Sequence, residues 1–215
     1  MSAMKRSVMA TVIGDVVGSR EAGDRVALHA GMRLMLDQAN AVLAPSVPLR
    51  ITVGDEFQGC FETVGGALHA TLWLRLYLSP IDLRHGVGWG AVTVLDDEPR
   101  VEDGPGWWAA RAAIEEVKTQ AARSALRHVR TAYRRAEDTE GPDPAAVNAA
   151  LLCRDQLVGS TSNRSLRLLR GSVDGVSQAE LAEQEGISAS AVSQRVRNDG
   201  LGVVVTTDEM LRTVE

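Results

Sequence analysis

The order of apolar segments in the first 118 residues constrains the fold more than any other feature of this chain. Short runs rich in β-branched residues alternate with longer runs whose apolar positions recur every three or four residues, and these are the periods of strands and helices. The predicted elements are strand 7–15, helix 27–43, strands 49–53 and 57–61, helix 67–78, strand 83–95 and helix 107–118. This βαββαβα order predicts an α+β fold of the ferredoxin-like palm type, with the helices on one face of the sheet.

Residues 137–144 (EDTEGPDP) are the best candidate for a linker, because they combine four acids, a glycine and two prolines. The chain beyond them has helical periodicity. We therefore predict a palm domain over 1–138, a linker with a connecting helix over 139–163, and an all-α helix-turn-helix domain over 164–215.

A helix-turn-helix motif is predicted at residues 177–199. Ser177 and Glu180 have the spacing of a capping box, Gly186 suits the sharp turn between the helices, and Ser188 caps the second helix. This second helix exposes side chains that contact base edges and phosphates in known complexes, namely Ser190, Ser193, Gln194, Arg195, Arg197 and Asn198. The motif predicts DNA binding as a dimer over two half-sites, since one motif with few basic residues binds weakly. The alternative is a small helical module that binds protein or only packs.

Composition excludes several classes of protein. With 23 Lys plus Arg against 28 Asp plus Glu, the net charge of -5 excludes a polycation that coats nucleic acid or anionic lipid. Cys60 and Cys153 lie far apart without zinc-ligand spacing, which fits two buried thiols in a reducing compartment. No run approaches the roughly 18 apolar residues of a membrane helix. We predict a soluble, cytoplasmic protein with no membrane partner.

One basic stretch differs from this acidic average. Arg123, Arg127, Arg130, Arg134 and Arg135 fall in a segment without a carboxylate. Helical spacing would place four of them on one stripe beside an apolar stripe. The stretch is interpreted as a solvated helix face, with a phosphate or nucleic-acid contact as the alternative.

Carboxylates follow the ends of two predicted strands. Asp15 ends the first strand, and Asp55 and Glu56 occupy the tip of the predicted hairpin. In a βαββ sheet these positions meet at one edge, where clustered oxygens suit magnesium or manganese shared with the phosphates of a substrate. Gly18 and Ser19, placed just before a helix, would offer backbone N–H groups to a phosphate. The alternative is that Asp55 only serves the turn and Asp15 caps the following helix.

Three segments resemble known families. Residues 12–20 (VIGDVVGSR), 52–59 (TVGDEFQG) and 104–112 (GPGWWAARA) resemble the SatD family of bacterial proteins, and this likeness spans most of the chain. The two Asp segments, with strand residues 83–90, also resemble the palm of class III nucleotide cyclases and GGDEF diguanylate cyclases over about residues 7–118.

The cyclase likeness implies metal-binding roles. Asp15 matches the metal-binding Asp after the first strand, with the carbonyl of Val16 as a further ligand. Asp55 or Glu56 matches the carboxylate of the hairpin. The implied cofactor is magnesium or manganese bound together with a nucleotide.

The same likeness is weaker for catalysis. Arg111 matches an arginine that stabilises the transition state, but Trp107 stands where cyclases have the accompanying asparagine. No residue that selects a base can be placed, and Val53 replaces the first glycine of GGDEF. The resemblance therefore implies nucleotide binding more strongly than turnover.

Trp107 and Trp108 are adjacent, so on a helix their side chains point about 100° apart. One of them is predicted to stack on a nucleotide base or to line a pocket. The alternative is that both pack against the sheet edge or a partner subunit. His85 lies on a predicted strand and is interpreted as a structural histidine rather than a catalytic base.

Three functional hypotheses follow. The leading one is a DNA-binding transcriptional regulator whose palm binds a nucleotide and magnesium and alters the geometry of a homodimer. The first alternative is a nucleotidyl cyclase or related phosphotransferase, in which the helix-turn-helix serves only localisation or assembly. The second is a non-catalytic adaptor with a vestigial palm.

Overall fold

The structure is a computed structural model that describes residues 6–21, 23–98 and 100–215. Its strands are β1 (Arg6–Val16), β2 (Val47–Val53), β3 (Glu56–Phe61), β4 (Leu83–Asp97), β5 (Arg100–Asp103) and β6 (Thr131–Arg135). Its α-helices are α1 (Arg25–Leu43), α2 (Val64–Tyr77), α3 (Pro105–Ala121), α4 (Pro144–Gly159), α5 (Asn163–Val173), α6 (Gln178–Glu185), α7 (Ala189–Asn198) and α8 (Leu201–Arg212).

All described strands belong to one sheet. Its first four strands have the order β2-β3-β1-β4, and β1 is antiparallel to both of its neighbours. This is the order that a βαββαβ palm requires, so the predicted α+β palm is confirmed. The sheet also contains β5 and β6, which both pair with β4 and which the sequence analysis did not predict.

The basic stretch after α3 is not a helix, and that prediction is wrong. Residues 124–126 form one 3-10 turn, and β6 then pairs in parallel with β4. Side chains of α4 bind the backbone of β6: Asn148 accepts from the N–H of Tyr133 at 2.9 Å and donates to its carbonyl at 2.8 Å. Asp155 accepts from the N–H groups of Arg130 and Thr131, each at 2.7 Å. These side-chain hydrogen bonds bind backbone groups that would otherwise need a second neighbouring strand.

Helices cover both faces of the sheet. Val12 of β1 packs in the cluster that contains Met32 of α1 and Leu68 of α2, as predicted. The next residue, Ile13, packs on the opposite face against Ile114 of α3, so the prediction that all helices share one face is wrong for α3.

Glycines in β4 allow α3 to approach this closely. A Cβ at Gly88 would lie 2.2 Å from the carbonyl oxygen of Gly106, and one at Gly86 would lie 2.2 Å from that of Ala110. A larger residue at either position would push α3 away from the sheet.

The C-terminal helices pack against the palm through α2. Leu68 of α2 belongs to the core of the sheet, while Leu72 packs with Leu168 and Val192 of the C-terminal helices. The helix-turn-helix is therefore not seen as a separate domain. The boundaries predicted after residues 138 and 163 stay predictions.

A buried arginine strengthens this junction. Arg154 of α4 is 1% exposed and donates to the carbonyl of Leu68 and to the hydroxyls of Thr71 and Thr131, each at 3.1 Å. It therefore joins α4, α2 and β6 in one polar network.

The two helices of the predicted motif are confirmed as α6 and α7. Ser177 and Glu180 form both hydrogen bonds of the capping box, and Ser188 caps α7. Gly186 ends α6 with a φ of 63°, a conformation that glycine adopts without strain. The last helix, α8, has no counterpart among the predicted elements.

Two smaller expectations concern burial. Within the described residues, no helix is long and apolar enough to cross a membrane. Cys60 is buried, but Cys153 is exposed, so the prediction of two buried thiols is wrong for Cys153.

Candidate functional site

The carboxylate of the β2–β3 turn lies beside the end of β1. Val53 pairs with Glu56, so Gly54 and Asp55 form a two-residue turn, and Gly54 has a φ of 65° that favours glycine. Oδ2 of Asp55 accepts a hydrogen bond from the N–H of Val16 at 3.2 Å. The structure thus brings Asp55 next to the peptide group that follows Asp15.

Asp15 is enclosed by two cations. Nε of Arg84 lies 2.8 Å from its Oδ1, and Nζ of Lys118 lies 3.3 Å from its Oδ2. Burial alone would lower the pKa of Lys118, but its hydrogen bond to Glu115 and the charge of Asp15 outweigh this effect and raise the pKa. Lys118 is therefore positively charged at neutral pH beside Asp15.

Glu56 has a different partner. Both of its oxygens accept from Arg111 of α3, with N–O distances of 2.6 Å. These hydrogen bonds are the largest cause of a raised pKa at Arg111, to which the charges of Glu56, Glu115 and Asp15 also contribute. This bidentate pair links β3 to α3 and occupies the side chains predicted as a metal ligand and as a catalytic arginine.

A cavity of about 320 Å³ opens beside the same edge. It is lined by Ser19, Arg25, Val26, Leu28, His29, Met32, Gly54 and Asp55. Ser19 and Asp55 were predicted from the sequence, and the structure places them on the walls of this one cavity. Arg25 and His29 add nitrogen donors from the first turns of α1.

The loop between β1 and α1 differs from the prediction. Gly18 and Ser19 do not directly precede the helix, because Ser19–Glu21 forms a 3-10 turn and α1 begins at Arg25. The cap of α1 is Asp24, whose side chain accepts from the N–H of Ala27 at 2.8 Å, so Asp15 does not cap it.

The carboxylates fit a metal that arrives with a nucleotide better than a resident ion. In residues 6–21, 23–98 and 100–215, no three His, Cys, Asp or Glu side chains are grouped to hold a metal. Magnesium in nucleotide sites commonly takes one or two carboxylates and completes its shell with water and phosphate oxygens. Asp55 and Asp15 could supply this pair if the ion displaced Arg84 and Lys118 from the oxygens of Asp15, whereas Glu56 is held in a bidentate pair by Arg111.

The two tryptophans lie apart from this edge. Trp107 is 7% exposed and packs with Ile114, while Trp108 is 62% exposed and donates from Nε1 to Asp103 at 2.8 Å. Their different directions are as predicted. Trp108 lines a separate cavity of about 820 Å³ with Ala91. Ala91 pairs with Val8 of β1. Val8 lies seven residues before Asp15, so the two positions are about 23 Å apart along the strand.

The predicted DNA-contacting residues of α7 divide into two groups. Ser190, Gln194, Arg197 and Asn198 are exposed, and Ser193 is half-buried. Arg195 instead points to α5, where its Nη1 lies 3.1 Å from the hydroxyl of Ser165 and 3.6 Å from Asp199.

Comparison with known proteins places the chain in a family. Residues 9–214 match the SatD family. The chain belongs to the SatD family. No curated protein is similar enough to this SatD-family chain to count as a match.

Solved cyclase structures show a weaker similarity to this SatD-family protein. The guanylyl cyclase domain of the RhoGC fusion protein from the aquatic fungus Blastocladiella emersonii is 18% identical, with a TM-score of 0.45 over 52% of this chain and 77% of that one. The adenylyl cyclase CyaB from P. aeruginosa is 13% identical, with a TM-score of 0.43 over 50% of this chain and 71% of that one. Scores this low support no functional conclusion, and the palm assignment rests on strand order and register.

Four residues of this SatD-family site with nitrogen-bearing side chains were not predicted from the sequence: Arg25, His29, Arg84 and Lys118. Arg84 is the residue of β4 that pairs directly with Asp15, but this could be known only from the register of two distant strands. Lys118 had a local signal, because it follows Arg111 by seven residues and so lies on the same side of α3.

Proposed function

We propose that this SatD-family protein binds a nucleoside polyphosphate together with magnesium at the edge formed by Asp15, Asp55 and the adjoining cavity. The observation that carries the proposal is the hydrogen bond from the N–H of Val16 to Asp55, which places the Asp55 carboxylate, part of the cavity wall, beside the peptide group that follows Asp15. A bound magnesium ion would neutralise phosphate charge and orient the phosphates, and Asp15 and Asp55 would hold it.

The charges around the edge suit a polyphosphate. Arg25 and His29 line the cavity with Ser19, and Arg84 and Lys118 contact Asp15. A cation at Asp15 would compete with Arg84 and Lys118 for its oxygens. Those two side chains would then be available to the phosphate oxygens of the same ligand.

Binding is favoured over cyclase chemistry as the function of this edge. Arg111 is held by both oxygens of Glu56, and Trp107, in the position of the cyclase asparagine, is buried in the core under α3. If the palm is a cyclase, labelled ATP or GTP with magnesium or manganese gives a cyclised product. We expect no cyclised or transferred product even at high protein concentration.

A thermal-shift experiment tests nucleotide binding. The unfolding temperature is measured with ATP, GTP and a cyclic dinucleotide, each with and without magnesium. A ligand at 100 times its dissociation constant stabilises the folded state by about 2.7 kcal/mol, so binding raises the unfolding temperature. The proposal expects a rise with at least one nucleoside triphosphate that depends on magnesium. No rise with any of the nucleotides would contradict it.

DNA binding through α7 is a second candidate function. It is supported by the exposed row of Gln194, Arg197 and Asn198 on the second helix of a helix-turn-helix. The packing of α2 against α5 and α8, which in turn contact α6 and α7, would let a ligand at the palm influence the motif. In this second function the protein is a transcriptional regulator that responds to a nucleotide and binds DNA as a homodimer.

A further inference from the structure

The distribution of charge in α4 is the reverse of that in an ordinary surface helix. Its two charged residues, Arg154 and Asp155, are only 1% and 0% exposed. Its exposed residues, all within the described part of the chain, are uncharged, namely Ala145, Ala146, Ala149, Leu152, Cys153 and Gln156. A helix that faces water normally places its charged residues outside. The outer face of α4 instead has the composition of the centre of an interface, where charged residues are depleted.

The last helix, α8, also exposes large apolar side chains. Val203 and Met210 are seven residues apart, so they lie on one side of α8, and they are 59% and 69% exposed. Leu152 of α4 is 40% exposed. Single exposed apolar side chains are common, but a group of them on adjacent helices indicates a contact surface.

The two helices lie side by side and run in opposite directions. At one end, a Cβ built at Gly200, just before α8, would lie 3.0 Å from Leu157 near the end of α4. At the other end, Leu211 packs in the same cluster as Val147 and Leu151. The exposed residues of both helices face away from this shared core. We call the six exposed residues of α4, together with Val203 and Met210, the α4–α8 face.

The size of this face suits a protein partner. With 16 and 12 residues, α4 and α8 are about 24 and 18 Å long at a rise of about 1.5 Å per residue. Neighbouring helix axes are about 8 to 10 Å apart, so the face measures about 20 Å in each direction. A standard interface buries about 800 Å² of accessible surface on each partner. The α4–α8 face is somewhat smaller, which predicts a reversible contact.

Charge favours a second copy of this chain as the partner. The net charge of -5 opposes the approach of two copies at most orientations. At the α4–α8 face two copies can meet without like-charge repulsion and without burying an unpaired charge. A nucleic acid or an anionic membrane would instead require basic residues on the face.

The exposed apolar residues of α1 form a different kind of surface. Leu34 and Val42 are 60% and 65% exposed, but Arg33 and Asp37 are exposed on the same helix. Such a mixture is typical of a solvated helix. The α4–α8 face is therefore the better candidate for self-association.

We propose that the α4–α8 face is a dimer interface, covered by the same face of a second copy across a twofold axis. The α4 and α8 helices of both copies would pack as four helices, with the alanines of α4 allowing the helix axes to approach closely. Only Asp199 and Gly200 separate α7 from α8, so this dimer would fix the two α7 helices relative to each other. The proposal supplies an interface for the homodimer of the second candidate function, but it rests on the face itself and requires neither DNA nor nucleotide.

A charge placed on the face tests the interface. Ala149→Glu adds a carboxylate at an exposed position of α4, where glutamate is a good helix former, so the variant is expected to fold. Val203→Glu makes the same change on α8. Ala41→Glu, at an exposed position of α1 beside Val42, is the matched control. Sedimentation equilibrium of each protein alone gives the dissociation constant of the dimer.

We expect the wild type and Ala41→Glu to dimerise with the same micromolar dissociation constant. The constant should be at least about tenfold higher in Ala149→Glu and in Val203→Glu, because the dimer would bury the added carboxylate of both copies. A wild type that stays monomeric up to about 100 μM, or equal dissociation constants in all four proteins, would overturn the proposal.

Cys153 reports the position of the contact. It is exposed on the α4–α8 face, whereas Cys60 is buried, so a maleimide in excess labels Cys153 of the folded protein. Labelling of the wild type should slow as the protein concentration rises through the dimerisation range, while Ala149→Glu should be labelled at one rate throughout. A wild-type dimer in which Cys153 reacts as fast as in the monomer would place the interface elsewhere and refute the proposal. Both measurements use the protein alone, so their results are independent of nucleotide and DNA binding.

Discussion

Asp15 and Arg84 are direct partners across β1 and β4, and Nε of Arg84 lies 2.8 Å from Oδ1 of Asp15. Their side chains are 12% and 22% exposed, so solvent screens the pair less than it would at the surface. Lys118 adds a second cation at 3.3 Å. The negative charge of Asp15, at the edge predicted to bind a metal, is therefore balanced by two cationic side chains of the protein itself.

Arg84→Gln should destabilise the protein, because Asp15 loses a charge-assisted hydrogen bond in a mostly buried setting. We expect the free energy of unfolding in urea to fall by about 1 to 3 kcal/mol. Arg33→Gln, an exposed change on α1, is the control and should stay within about 0.5 kcal/mol of the wild type. An unchanged stability in Arg84→Gln would show that the pair is not formed.

Stability should also fall in mild acid because of His85. This residue is 0% exposed and both of its ring nitrogens are without a partner among the described residues. Burial lowers its pKa well below 6.5, and the charges of Arg75 and Arg154 lower it further. Below pH 6.5 this histidine takes up a proton in the unfolded chain, whereas in the folded state the buried ring does not. The free energy of unfolding should therefore decrease by up to about 1.4 kcal/mol for each pH unit below 6.5.

His85→Leu separates this effect from other titrations. The substitution keeps the apolar contacts but removes the titrating group, and it leaves no ring nitrogen without a partner. We expect a smaller loss of stability between pH 6.5 and pH 5 than in the wild type, measured by chemical unfolding at each pH. Identical pH dependence in both proteins would exclude His85 as the source.

Unfolding should be a single cooperative transition, because α2 contributes to the cores on both of its sides. All four tryptophans, Trp73, Trp89, Trp107 and Trp108, lie in the palm, so their fluorescence reports on the palm alone. Far-ultraviolet circular dichroism reports on all the helices. We expect the two signals to give the same midpoint in urea. A helical transition at a different midpoint would indicate an independent C-terminal domain.

The palm could be predicted because its signals are local. Each of its first four strands has a β-branched or alternating pattern, and Gly54 and Asp55 identify the hairpin turn. The same holds for α6 and α7, whose capping box and Gly186 are signals within a few residues. The predicted closeness of Asp15 and Asp55 follows from the βαββ order alone.

The error at β6 has a tertiary cause. The spacing of Leu126, Val129 and Tyr133 fits a helix. In the structure Tyr133 instead lies in the short strand β6, which pairs with β4, and Leu126 and Val129 lie just before that strand. Asn148 and Asp155 of α4 accept hydrogen bonds from backbone N–H groups of that strand. No signal in the sequence predicts these contacts between α4 and β6. The site residue Arg84 was missed for a similar reason, since strand register brings it to Asp15.

The contacts of Arg195 change the expectation for DNA binding. Because its guanidinium contacts Ser165 and Asp199, Arg195→Ala should mainly reduce stability rather than relax one base position. Arg197 is exposed, and Arg197→Ala should lower affinity or discrimination by about 1 to 3 kcal/mol without changing the unfolding temperature. Sites selected from random duplex DNA, followed by affinity measurements on both variants, distinguish these roles. If the wild type retards no duplex at low salt, α7 is not a DNA-binding helix.

Asp15 and Asp55 are the residues proposed to help bind a magnesium nucleotide. Asp55→Asn is the most informative variant, because an amide oxygen can still accept from the N–H of Val16 while the charge is lost. Asp37→Asn, an exposed change on α1, is the matched control.

Isothermal titration calorimetry tests this role. ATP and GTP with magnesium are titrated into the wild type, Asp55→Asn, Asp15→Asn/Asp55→Asn and Asp37→Asn. We predict at least tenfold weaker binding in Asp55→Asn, a further loss in the double variant and no change in Asp37→Asn. Equal affinity in the wild type and the double variant, or no binding of either nucleotide by the wild type, would contradict the account.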